Sequence, residues 1–159
     1  MVSIENRSTF PGFSFNERQL ADISAVILHD FFEAESDFSL SFVNPDEIRS
    51  LNSQYREHDE VTDVLAFPSG GEIDPETAAE YIGDILICTE RAFEQASASK
   101  HPAENEIALL LIHGLLHLIG YDHQNAEEKT TMWAVQSDYL QKFNIVLGRE
   151  PGEEFENEA

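Results

Sequence analysis

Cations are scarce in this chain. It carries 9 Lys and Arg against 31 Asp and Glu, a formal charge of −22. That deficit argues against broad, non-specific nucleic-acid binding, which relies on Lys and Arg to displace condensed counterions. It leaves room for a locally positive cleft, or for a metal ion that brings its own positive charge. Cysteine is almost absent. The single Cys88 excludes an internal disulfide and a zinc site built from four thiolates. Any metal must therefore rest mainly on His, Asp or Glu. The setting of Cys88, GDILICT, reads as a strand and marks a buried structural thiol. Long apolar runs are also missing. The longest, IALLLI with its continuation, is interrupted by histidines and is too short to span a bilayer. The N-terminus shows no basic region followed by an apolar stretch. The expectation is a soluble cytoplasmic protein with no membrane partner.

No internal repeat divides the chain, and 159 residues suit one domain rather than two. Acidic stretches such as GGEIDPETAAE and REPGEEFENEA read as solvating surface. One domain is expected over 1–148, followed by an acidic flexible tail over 149–159.

The periodicity supplies the elements. Val2 and Ile4 alternate with polar residues as in a short strand. From about Asn16, the residues Leu20, Ile23, Ile27, Leu28 and Phe31 recur at helical spacing. Phe38, Leu40 and Phe42 alternate as one buried strand face. Asn44 and Pro45 open a helix that places Ile48, Leu51 and Tyr55 on one side. TDVLAFP is a second clear strand, closed by Pro68 and the glycine pair, and a loop or short helical turn follows over 69–80. YIGDILICT is the third clear strand, and ERAFEQASASK a modest helix. A long helix runs from about Ala103 to Ile119 and stops at Gly120. A last helix, from about Asn125 to Phe143, is expected to bury Met132, Val135, Tyr139 and Phe143. Three or four strands with about five helices give an α+β or mixed α/β domain around a small mixed sheet. Strand order is not legible from the pattern.

The richest stretch is LIHGLLHLIGYDH. It holds His113, His117 and His123, half of the chain's 6 histidines. On a helix, side chains at i and i+4 share a face, so His113 and His117 can aim at one point. Gly120 tolerates the positive φ of a sharp turn and can return His123 to the same point. Imidazoles buried in an oily helix without partners would cost about 1–3 kcal/mol each. A shared metal satisfies one nitrogen of each. Neutral imidazoles without thiolate suit one Zn²⁺ ion, and three protein ligands leave an open position of the catalytic kind. The spacing H-x3-H-x2-G-x2-H also occurs in metzincin proteases, which keep a glutamate directly after the first histidine as general base. Here that position is Gly114, which cannot take a proton.

HGLLHLIGYDH resembles the signature of the YbeY family of bacterial rRNA-maturation endoribonucleases. LNSQYREHDEVTDVLAFP, over Leu51–Pro68, is similar to a second block of that family, with Ala66 where the family has serine. GDILI is similar to a third. The resemblance implies an α+β domain with one zinc on His113, His117 and His123. It implies a cleft for single-stranded RNA, and work on the 3′ end of small-subunit ribosomal RNA and in ribosome quality control. It points to Arg56 as the key basic residue; by itself, Arg56 reads as a helix-terminal cation favoured by the macrodipole. Arg56 and His117 are the residues expected to carry catalysis. Asp122 is expected to orient a ligand or to cap the next helix. No general base stands out, and His58 and Asp63 are weaker alternatives. His29 and His101 have no pattern around them.

Two rival readings have different chemistry. One is a metallopeptidase with a metzincin-like site, disfavoured by Gly114. The other is a non-catalytic ribosome-assembly factor with structural zinc, whose negative charge would meet basic ribosomal proteins.

Overall fold

A computed structural model describes residues 1–149. Four strands and five helices follow one another along the chain. They are β1 (Val2–Asn6), α1 (Glu17–Phe31), β2 (Ser36–Val43), α2 (Pro45–Arg56) and β3 (Val64–Ile73). After these come β4 (Glu80–Cys88), α3 (Thr89–Ser99), α4 (Ala103–Ile119) and α5 (Ala126–Lys142). The sheet order is β1-β2-β4-β3. β1, β2 and β4 run parallel, while β3 pairs with β4 antiparallel and forms an edge. The domain is therefore the expected α+β type with a mixed four-stranded sheet.

The two sheet faces are covered unequally. Phe38, Leu40, Phe42, Val64, Ile85 and Ile87 meet α1 and α4 in the main core, with α5 packed on α4. On the other face α2 covers a smaller cluster around Ile48, Val43, Leu65, Leu86 and Cys88. α4 is the central helix: it touches β3, β4, α1, α3 and α5, and nearly all of its residues from Glu106 to Leu118 are buried. This explains why its sequence is apolar all round.

Several expectations change in detail. Phe31 ends α1 with 37% of its surface exposed, edge-on to Tyr121, rather than in the core. Asn44 precedes α2 without a side-chain capping bond. Its Oδ1 instead accepts from the Thr9 N–H, tying the helix start to the segment after β1. Tyr55 is 61% exposed although it lies in line with buried Ile48. β3 does not stop at Pro68 but runs on to Ile73, with a register shift between Pro68 and Glu72. An edge strand tolerates proline because its missing N–H can face away from the ladder. Gly71 absorbs the irregularity at φ 77°. In α5, Met132 and Tyr139 are buried as expected, while Val135 and Phe143 are only half-buried. Trp133 and Gln136 take the inner positions instead.

His101, without pattern in the sequence, is part of a buried ionic knot. Its Nε2 lies 2.7 Å from Glu106 Oε1, and Arg149 places Nη1 at 2.7 Å and Nη2 at 2.8 Å from the same carboxylate. Glu106 is fully buried, so the opposite charge is what makes its burial tolerable. Arg149, the first residue of the expected tail, is thus held on the domain, and the rest of that tail lies outside the described residues.

Candidate metal centre

α4 presents His113 and His117 one turn apart, with ring centroids 4.7 Å apart. The helix ends at Gly120, whose φ of 123° is open only to glycine at low cost. The Gly120 N–H donates to the Leu116 and His117 carbonyls, and the Tyr121 N–H donates to the Leu116 carbonyl. These bonds satisfy the end of the helix while the chain reverses. The reversal brings the His123 ring within 5.1 Å of His117 and 5.6 Å of His113. One ligand nitrogen from each of the three lies within 4.8 Å of the others.

The donor set fits a metal ion. His113 Nε2 and His117 Nε2 are 3.1 Å apart. Two nitrogens each about 2.0–2.1 Å from one tetrahedral zinc would stand about 3.4 Å apart. The second nitrogen of His113 is also accounted for. Its Nδ1–H donates to Gln136 Oε1 at 2.9 Å, which leaves the Nε2 lone pair directed at its partners. Asp122 Oδ1 accepts the backbone N–H of His123 at 2.8 Å, so it braces the turn. It does not cap α5: Asn125 does, accepting the Glu128 N–H at 2.8 Å.

Gln136 and Trp133 escaped sequence reasoning. The indole stands edge-on to His113 and to His123, each at 5.5 Å. Lys129 Nζ sits 5.7 Å from its ring centre. A helical spacing of 3 between Trp133 and Gln136 was the available signal, but nothing in it distinguishes a wall of the site from ordinary core.

Gly114 has a structural reason. A Cβ there would meet Ile85 Cγ2 at 2.9 Å and Cδ1 at 3.1 Å. The position faces Ile85 of β4 at close range, so a carboxylate there would be driven into the core rather than toward the three histidines.

Arg56 ends α2, and Glu57 after it takes φ 60° and closes the helix. Its Nη2 donates to the Ala66 carbonyl at 2.6 Å, and its guanidinium lies 5.5 Å over the Phe67 ring. The cation is thus pinned to edge strand β3, whose other side packs on α4. Beside the histidine turn lies an open depression of about 630 Å³ whose lining includes Asp122, Glu127 and Glu128. Those carboxylates make that wall acidic. Asp63 is buried at the start of β3, where Oδ1 accepts the Val64 N–H and Oδ2 accepts from Gln95. His58 and His29 are exposed. Cys88 is fully buried, and burial pushes its thiol up to about 11.

Fold and cluster together define a class: an α+β domain whose central helix and following turn present three histidines able to hold a metal ion. The comparisons narrow this to one family. The family model described as Endoribonuclease YbeY matches residues 4–144. The chain is 36% identical over 154 residues to the Endoribonuclease YbeY of Finegoldia magna, covering 94% of this chain and 98% of that one. It is 42% identical over 116 residues to that of Macrococcus caseolyticus, covering 71% and 75%. A solution structure from Thermotoga maritima matches with a TM-score of 0.58 at 26% identity, covering 90% and 89%. The chain belongs to the endoribonuclease YbeY family.

Proposed function

We propose that this protein is a zinc-dependent endoribonuclease that cuts single-stranded RNA, with ribosomal RNA as substrate. Within that reading it matures the 3′ end of the small-subunit RNA and serves ribosome quality control in the cytoplasm. The observation that carries the reading is the convergence of three imidazole nitrogens with the outer nitrogen of His113 already bonded to Gln136. His113, His117 and His123 would hold the ion. When bound, zinc supplies Lewis acidity toward a phosphoryl oxygen or a water. The chain's own residues do the rest. Gln136 fixes the tautomer of His113, Trp133 walls the cluster, and Asp122 holds the turn that carries His123. Arg56, steadied by the Ala66 carbonyl, orients the scissile phosphate and offsets charge developing on its oxygens.

Peptide hydrolysis is not favoured, because the position of the protease base faces Ile85. The test compares the wild-type protein with His117→Ala and Arg56→Ala for metal content, cleavage of single-stranded RNA and cleavage of casein. The proposal expects RNA cleavage lost in both variants and metal lost only in the first. Proteolysis that needs His117 but not Arg56 would overturn it. So would bound zinc with no cleavage of either substrate.

A further inference from the structure

The exposed ring of Tyr55 is not explained by the core or by the metal centre. Tyr55 belongs to the last turn of α2, and the residue is 61% exposed. Its ring centre is 5.5 Å from that of Phe67 with the planes inclined at 64°. The two rings are therefore not stacked face to face, and most of Tyr55 is left to solvent. Phe67 also carries the Arg56 guanidinium, 5.5 Å from its centre. Consecutive residues of α2 thus place an exposed aromatic ring and a cation against the same ring of an edge strand. Arg56 is one of only 9 cations in a chain of charge −22, so a polyanion has few places to rest.

We infer that Tyr55 is a base-stacking subsite for the RNA strand, adjacent to the nucleotide whose phosphate Arg56 holds. The inference rests on the RNA-cleaving reading above. Proteins that bind single-stranded nucleic acid commonly set a cation on its backbone and an aromatic face on a base, and stacking tolerates any base because each has a π-face. Phe67 sets the tilt of the Tyr55 ring and the place of Arg56 together, so base and phosphate are gripped in a set relation. Tyr55 acts on binding and positioning and takes no part in bond breaking. Its hydroxyl is not required.

The test uses the zinc-loaded protein and a single-stranded RNA oligonucleotide, with Tyr55→Ala, Tyr55→Phe and a set of substrates each carrying one abasic position. Tyr55→Ala should raise KM about tenfold, the lower part of the range for one stacked base, with kcat changed less than twofold. Tyr55→Phe should regain the wild-type KM. One abasic position should raise the wild-type KM by a similar factor and have no further effect in Tyr55→Ala. Equal KM in wild type and Tyr55→Ala overturns the inference, as does a Tyr55→Phe variant as impaired as Tyr55→Ala. A fall in melting temperature with kcat reduced and KM unchanged would assign Tyr55 a structural role and also overturn it. If the wild-type protein cuts no RNA, the underlying reading fails; if it cuts RNA and Tyr55→Ala is unaffected, only the stacking subsite fails.

Discussion

The histidine platform and the arginine corner are built in opposite ways. His113 lies fully buried on a helix packed on every side, its ring bonded to Gln136 and walled by Trp133. Arg56 and Tyr55 stand at the C-terminal end of a helix that covers only part of the other sheet face, against an edge strand. The contrast is the one that the ligands proposed for the two regions would require. A small cation needs lone pairs held within tenths of an ångström, and only a well-packed core does that. A nucleic acid strand needs access, so its contacts lie at a rim where side chains keep some freedom.

Substitutions separate the two regions. The largest effect is expected from His117→Ala, which should abolish stoichiometric zinc and reduce RNA cleavage to background, measured by metal analysis and gel assay. Arg56→Ala should lower kcat by about 10²–10³-fold, the cost of removing one donor to developing charge, with zinc content unchanged. If Arg56→Ala also sheds the metal, the two regions are not independent. Gln136→Ala sharpens the platform side. It frees the outer nitrogen of His113 and should weaken metal affinity about 10–100-fold in a chelator competition. Gly114→Ala probes packing beneath the platform. A methyl group 2.9 Å from Ile85 Cγ2 overpacks the contact, and denaturant unfolding should show a loss of about 1–3 kcal/mol.

The smallest effect concerns Cys88, under α2. Its thiol rises from 9.0 to about 11 on burial, so between those values the unfolded chain releases a proton that the folded chain keeps. Stability should therefore fall as pH rises through that window, and the fall should vanish in Cys88→Ala. An unchanged slope in that variant would assign the loss to other groups.

Much of the platform was legible because its information is local. His113 and His117 share a helix face by spacing alone, and the turn at Gly120 is written as a glycine after an apolar run. The boundaries Ala103 and Ile119 followed from Pro102 and that same glycine. The corner was less legible. Arg56 read as an ordinary helix-terminal cation until the resemblance singled it out, and Tyr55 was expected in line with Ile48. The extension of β3 past Pro68 was hidden, because proline's tolerance depends on whether the strand is an edge.

By itself, the sequence determined the α+β class, the helix carrying two of the clustered histidines, the turn carrying the third and the absence of a protease base at Gly114. The class was read from periodicities local to each element, and the rest depends on residues close together in the chain or on the identity of one residue. Only the tertiary structure decided the strand order and the seating of Arg56 on the Ala66 carbonyl. It also decided the bond from Gln136 to His113 across 23 positions and the Ile85 contact that accounts for Gly114. Those contacts join segments far apart in the chain. Spacing reports which neighbours a residue shares along its own helix or strand, but not which other element packs against it.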